Sequence, residues 1–263
     1  MRPTSMREWN WSTAEIWSAA GVPEMKITAL GTGDVVGTPK IGCDCPICCE
    51  AKAAGKQRLR TSLLIEHKGF HLLIDTGPDM RAQLLAAGSP RIDAVIWTHG
   101  HYDHFMGFGD FYRVQREPIS VYGAPEVLAY CGGIFSFIPH EEHPVTPFEP
   151  TEICGMEVTL FPVVHDTPTY GLRITADGKT FVYSCDTRAE LSEASLEQMK
   201  GADLLLLDGI FPPGVNITKH MNIEDAERLA GDLAPKEFWC VHMSHKIPWD
   251  YEHAARDMQT WAL

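Results

Sequence analysis

Short apolar runs bounded by Gly, Asp or Pro begin at Met25. Residues 26–30, 62–66, 71–74 and 94–97 are each too short for a helix and suit a pleated, half-buried surface, so they read as strands. A second series at 158–161, 171–175, 180–183, 204–207 and 238–241 has the same form. Helical spacing follows the strands at 80–87, in part of the stretch after His104, at 192–200, at Ile223–Leu233 with Asn222 as N-cap, and at 251–261. Strands then helices, twice over, predict an α/β chain with two sheets packed face to face and helices outside. No short internal repeat is visible.

Residues 1–24 read as an N-terminal extension. Ser12 with Glu15 resembles a capping box, and residues 14–20 are expected to make a short helix stopped by Gly21. Trp9, Trp11 and Trp17 require burial, which packing on the main body supplies; a homodimer contact is the alternative. Residues 25–263 read as one domain, because no Pro/Gly/Ser-rich or like-charge run divides them and the 263-residue chain can bury one large core.

Composition narrows the function. With 44% hydrophobic and 22% charged residues the chain is globular rather than disordered. A formal net charge of −13 repels a phosphate backbone, so a nucleic-acid partner is not expected and a small substrate is. No apolar run nears the roughly 18 residues of a spanning helix, and the start lacks the apolar core of a signal peptide, so no membrane partner and a cytoplasmic address are expected. Of eight cysteines, Cys43, Cys45, Cys48 and Cys49 fall within seven residues, which in a reducing compartment points to metal rather than disulfides. Cys131, Cys154, Cys185 and Cys240 are scattered and read as small core residues.

The strongest chemical signal is Thr98-His99-Gly100-His101-Tyr102-Asp103-His104, directly after the apolar run 94–97. Four ligand-type side chains within six residues, on a turn leaving a buried strand, converge on a divalent ion; imidazole and carboxylate suit zinc, manganese or iron. Cys43-Asp44-Cys45-Pro46-Ile47-Cys48 supplies three thiolates, one short of the four ligands of a structural zinc.

The histidine-aspartate segment resembles the signature of the metallo-β-lactamase superfamily. The resemblance implies an αβ/βα four-layer sandwich, with two mixed sheets face to face. It also implies later ligands in chain order: His165, then Asp186 in Ser184-Cys185-Asp186-Thr187, then His242. By similarity His99, His101 and His165 hold one divalent ion, zinc or manganese; Asp103, His104 and His242 hold a second, and Asp186 bridges. Asp75, in Leu73-Ile74-Asp75-Thr76-Gly77, resembles the family's aspartate that orients a metal ligand. Gly31-Thr32-Gly33 followed by the cysteine loop resembles the branch of the cyclic phosphodiesterase PhnP. There a histidine three residues beyond the last active-site histidine completes a structural zinc, which implies His245 here. The likeness covers about Met25 to Asp250, and Cys49 reads as a spectator, with substitution as a ligand the alternative. Related cofactor-synthesis proteins share the cysteine motif but can lack a complete metal motif; the intact motif here argues for an enzyme.

Two divalent ions a few ångströms apart activate water and neutralise charge on the attacked group, so hydrolysis is the expected reaction. Asp103, Asp75 and His220 are the residues expected to carry it. His220 stands between Lys219 and the Asn222-capped helix, where phosphodiesterase branches of the superfamily carry a non-ligand histidine, here expected to act as general acid. The substrate expected is a small phosphorylated molecule, a cyclic phosphodiester such as 5-phosphoribosyl 1,2-cyclic phosphate. The alternatives are an RNA phosphodiesterase resembling tRNase Z, disfavoured by acidic charge and the lack of a long Gly/basic insertion, and a thioester or acyl hydrolase, which would need a glutathione-binding C-terminal region. A flavodiiron-type redox role would call for Glu at position 101. His140 and His143 are expected on a flexible rim over 139–150, while His67, His71 and His253 match nothing.

Overall fold

The computed structural model of the protein describes residues 25–114 and 117–263. The expected extension at 1–24, with its helix and tryptophans, lies outside the described residues. Thirteen strands are described: β1 (Met25–Gly31), β2 (Ser62–His67), β3 (Phe70–Ile74), β4 (Ala94–Ile96), β5 (Ile119–Gly123), β6 (His140–Pro144), β7 (Thr151–Ile153), β8 (Met156–Pro162), β9 (Tyr170–Ala176), β10 (Lys179–Tyr183), β11 (Leu204–Asp208), β12 (Glu237–Val241) and β13 (Gln259–Ala262). They form a seven-stranded sheet, β13-β1-β2-β3-β4-β5-β6, and a six-stranded sheet, β12-β11-β10-β9-β8-β7. Both are mixed. Neighbours from β3 to β6 are parallel, as are β10, β11 and β12, and the remaining pairs are antiparallel.

Helices α1 (Pro46–Ala54), α2 (Met80–Ala86), α3 (Tyr102–Phe105), α4 (Pro125–Ile134), α5 (Glu193–Met199) and α6 (Ile223–Leu233), with a 3-10 turn at Met106–Phe111, occupy the connections. The strand Leu204–Asp208 shows how the layers stack. All five residues are buried, as in a central parallel strand covered on both faces. Leu204 and Leu206 join the core shared with the first sheet, whereas Leu205 and Leu207 join the core under α5 and α6. Two sheets with helices outside is the expected four-layer sandwich. Helix α6 starts where Asn222 was expected to cap it, its Oδ1 accepting the Asp225 N–H at 2.9 Å.

Two expectations fail. The helix at 251–261 is absent: turns lead into β13, which pairs antiparallel with β1, Trp261 opposite Ile27. Met258 adopts a left-handed φ of 64°, and the Asp257 carboxylate accepts from the backbone N–H groups of Thr32 and Leu59. Completing the edge of β1 and burying Trp261 overrides local helical spacing. The rim over 139–150 is not a free loop either. His140 and His143 lie on β6, parallel to β5, and the His143 ring stacks on Tyr122 at 4.7 Å. Among the described residues no helix is long and apolar enough to cross a membrane.

Candidate metal centre and active site

Because β3, β4, β10, β11 and β12 place their C-terminal ends together, the side chains just beyond them converge. Asp75 follows β3, His99 follows β4, Asp186 follows β10, Asp208 ends β11 and His242 follows β12; His165 arrives from the loop after β8. Three of these turns bend through left-handed backbone at non-glycine residues: Asp75 (φ 61°), Cys185 (φ 56°) and His242 (φ 57°). Such backbone is costly and persists where surrounding structure holds it. Gly77 lets the Asp75 turn lie against the histidine motif; a Cβ there would sit 2.2 Å from the Asp103 carbonyl oxygen.

Two donor clusters result. His99, His101, His165 and Asp186 present ligand atoms all within 4.8 Å of one another, and so do Asp103, His104, Asp186 and His242. Ions bound at about 2.0–2.1 Å in a tetrahedron separate neighbouring donors by about 3.4 Å. The separations match: His165 Nε2 to His101 Nδ1 is 3.1 Å, and His242 Nε2 is 3.2 Å from both Asp103 Oδ2 and Asp186 Oδ2. His104 Nε2 lies 3.4 Å from Asp186 Oδ2 and 3.5 Å from Asp103 Oδ2; His99 Nε2 is 3.8 Å from Asp186 Oδ2. His99 Nε2, His104 Nε2 and Asp186 Oδ1 are buried with no hydrogen-bond partner. Buried polar atoms are rarely orphaned, so this donor set fits two divalent ions. Burial alone would push the Asp103 and Asp186 carboxyls up, but the imidazoles of His104 and His242 outweigh it and hold both well below the carboxylate range, in the anionic form a cation needs.

The outward nitrogens fix the rings. His104 Nδ1 lies 2.6 Å from Asp75 Oδ2, and Asp75 also accepts from the Thr98 N–H and hydroxyl. His165 Nδ1 lies 3.0 Å from the Lys219 carbonyl oxygen, His101 Nε2 3.2 Å from Asp166 Oδ1, and His99 Nδ1 3.0 Å from Thr98 Oγ1. Such partners set tautomer and orientation.

His220 stands beside the second cluster, its ring stacked on His242 at 5.1 Å, and its Nδ1 lies 2.7 Å from Asp208 Oδ2. Burial disfavours the charged imidazole, yet the fully buried Asp208 carboxylate outweighs it and lifts His220 above the ordinary histidine range. Asp186, Asp208, His220 and His242 also crowd within 4.8 Å, but Nδ1 of His220 is spent on Asp208, and Asp186 and His242 already belong to the second cluster.

The cysteine loop closes on the same wall. Cys43 Sγ and Cys45 Sγ each lie 3.5 Å from His245 Nδ1, and Cys48 Sγ lies 3.6 Å from it. Zinc at about 2.3 Å from sulfur and 2.0–2.1 Å from nitrogen sets those atoms about 3.6 Å apart, so the four donors fit one tetrahedral ion. The Cys48 backbone N–H, then His245, pull the Cys45 thiol down to about 6, while burial pushes Cys48 up to about 11. Cys49 points elsewhere, its Sγ 3.4 Å from the Asp44 carbonyl oxygen. Cys131, Cys185 and Cys240 are buried and Cys154 half-buried.

The structure thus brings His99, His101, Asp103, His104, His165, Asp186, His242, Asp75 and His220 together, and Cys43, Cys45, Cys48 and His245 beside them, but leaves His140 and His143 on β6 outside the donor clusters. Asp208, Asp166 and Lys219 were not expected at the site. Asp208 had a signal: the run Leu204–Leu207 ending in Asp-Gly repeats the form of Leu72–Ile74 ending in Asp75.

A four-layer sandwich with paired donor clusters at one end of its sheets has the metallo-β-lactamase fold. The family model of the β-lactamase superfamily domain matches residues 71–243. A solved structure described as a new diphosphatase from the PhnP family is 30% identical, with a TM-score of 0.81 over 90% of this chain and 96% of that one. Zinc-bound PqqB from Methylobacterium extorquens is 25% identical, with a TM-score of 0.79 over 90% of this chain and all (100%) of its own. An octanoyltransferase of Porphyromonas gingivalis is 30% identical over 243 residues, 87% of this chain but 48% of that protein, so the chain spans about half its length. The chain belongs to the β-lactamase superfamily of metallohydrolases and, within it, to the PhnP-like branch.

Proposed function

We propose that the protein is a phosphodiesterase that hydrolyses a small, cyclic phosphodiester such as 5-phosphoribosyl 1,2-cyclic phosphate. It would hold two divalent ions, zinc or manganese, on the histidine-carboxylate clusters and one zinc on Cys43, Cys45, Cys48 and His245. Bound there, the paired ions supply water activation and charge neutralisation at phosphorus. Asp103 and Asp186 contribute the negative charge that holds them, and Asp75 keeps His104 in the tautomer that turns Nε2 inward. The observation that carries the reading is the His220–Asp208 pair. With Nδ1 held by Asp208, the His220 Nε2 proton is free to pass to the departing alkoxide oxygen, a step typically worth about 10²–10⁴-fold. The diphosphatase of the PhnP family also cleaves at phosphorus, in keeping with this substrate class.

The octanoyltransferase relative favours a second reading, an acyl substrate on the same centre. A thioester expels a thiolate, a weaker base than a sugar alkoxide, and so has less need of a proton from His220. Assay of the metal-loaded protein on cyclic phosphates, linear phosphodiesters, precursor tRNA and thioesters separates these readings. The highest kcat/KM is expected on a cyclic phosphate, and activity confined to thioesters or RNA would overturn the proposal. His220→Ala should lose most activity on diesters with poor alkoxide leaving groups and far less on p-nitrophenyl diesters.

A further inference from the structure

Lys219 has a place beside the first cluster that the chemistry above does not use. Its backbone carbonyl is bound by His165, and its Nζ is ion-paired with Asp166. The other Asp166 oxygen stands 3.2 Å from both His101 Nε2 and His165 Nε2. One carboxylate therefore separates a half-exposed ammonium from two imidazoles of the centre.

Charge balance gives that ammonium a purpose. Asp75, Asp103, Asp166, Asp186 and Asp208 put five carboxylates in contact with the site's histidines, and two divalent ions offset four of those charges. With the proton that His220 carries as general acid, the loaded centre has no surplus positive charge, on a chain that is already at −13. A substrate carrying a phosphate monoester besides its diester adds about two further negative charges. Lys219 differs from Arg60, paired with Asp79, and Arg188, paired with Glu190, in that its own partner, Asp166, also touches two imidazoles of the centre.

We propose that Lys219 is the specificity-determining residue that selects a substrate bearing a second phosphate, leaving Asp166 to take that group while the diester lies at the metal clusters. The inference rests on the phosphodiesterase reading. Exchange of partners is easy, because a solvent-exposed ion pair is weak and lysine is a flexible point charge suited to phosphate. Its carbonyl bond to His165 keeps the stem at the mouth whichever anion Nζ holds.

The test compares metal-loaded wild type, Lys219→Met and Lys219→Arg on a ribose cyclic phosphate with and without a 5-phosphate, with metal content checked by elemental analysis. Lys219→Met should raise KM for the 5-phosphorylated substrate by about 10–100-fold, with a far smaller change for its unphosphorylated twin, and Lys219→Arg should recover most of the loss. Equal losses on both substrates would make Lys219 a clamp on the His165 loop and overturn the proposal, as would no loss on either. If wild type cleaves neither, the phosphodiesterase reading fails on its own, and calorimetry with ribose 5-phosphate then judges Lys219. Binding weakened about tenfold or more in Lys219→Met supports the anion site, and unchanged binding removes it.

Discussion

The cysteine loop and the histidine-carboxylate centre meet along one short segment, His242 to His245, yet are built in opposite ways. Three of the four cysteine-site donors come from six consecutive residues at the start of α1, and the fourth arrives from almost 200 residues away. The other centre collects donors from the ends of β4, β10 and β12 and the loop after β8, and four of its five imidazoles, His99, His101, His104 and His165, are tied from behind by a carboxylate, hydroxyl or carbonyl, while His242 Nδ1 stands 3.9 Å from Asp208 Oδ1. The first arrangement fastens a loop to the wall of the active site. The second holds charge in place where a reaction needs it. The contrast teaches that similar donor chemistry can serve stability or reactivity, depending on whether its ligands come from one local loop or from the ends of several strands.

The contrast should break most sharply at Asp186, shared by both clusters. Asp186→Asn removes a charge from between the two proposed ion sites and should lower kcat/KM by about three orders of magnitude or more in a protein that stays folded by circular dichroism. A loss under about tenfold would show that the centre does not depend on the shared carboxylate. Asp75→Ala tests support from behind. His104 loses its outer partner, and activity or metal affinity should fall by about 10–100-fold.

Cys45→Ser should do the reverse of Asp186→Asn: Tm falls by about 5–10 °C, and kcat changes little, because metal binding at that loop is coupled to folding. Unchanged Tm in a zinc-depleted Cys45→Ser protein would remove the structural role.

The smallest effect concerns Asp257, which joins the β13 approach to Thr32 and Leu59. Burial pushes its carboxyl up to about 6, against the hydrogen bonds from Leu59 and Thr32. The folded chain therefore holds this proton more tightly than the unfolded one, whose aspartate titrates near about 3.9. Its contribution to stability is largest below about pH 4, declines as pH rises to about 6, and is flat above that. The Tm difference between wild type and Asp257→Asn should shift against wild type by several degrees over that window; a constant difference would place the carboxyl at its ordinary value.

Legibility in the sequence followed the same division. His99, His101, Asp103 and His104, like the three cysteines, announce themselves because their spacing is local. His165, Asp186 and His242 are ordinary singly and became readable through a family resemblance. Asp166 and Lys219 had no such aid: their meeting depends on two loops that only the fold juxtaposes. Helices α1 and α4 went unrecognised although each carries Pro in its first turn, Pro46 and Pro125, a helix-start signal that the surrounding Cys and Gly residues obscured. The 251–261 segment misled because its spacing is helical while its partner, the free edge of β1, lies at the other end of the chain.

The central claim, two metal centres of different purpose, is tested most directly by elemental analysis of fully loaded wild-type and Cys45→Ser proteins. Three ions per wild-type chain are expected, with Cys45→Ser losing one zinc and keeping the active-site pair. Two or fewer in wild type, or three retained in Cys45→Ser, would contradict the account.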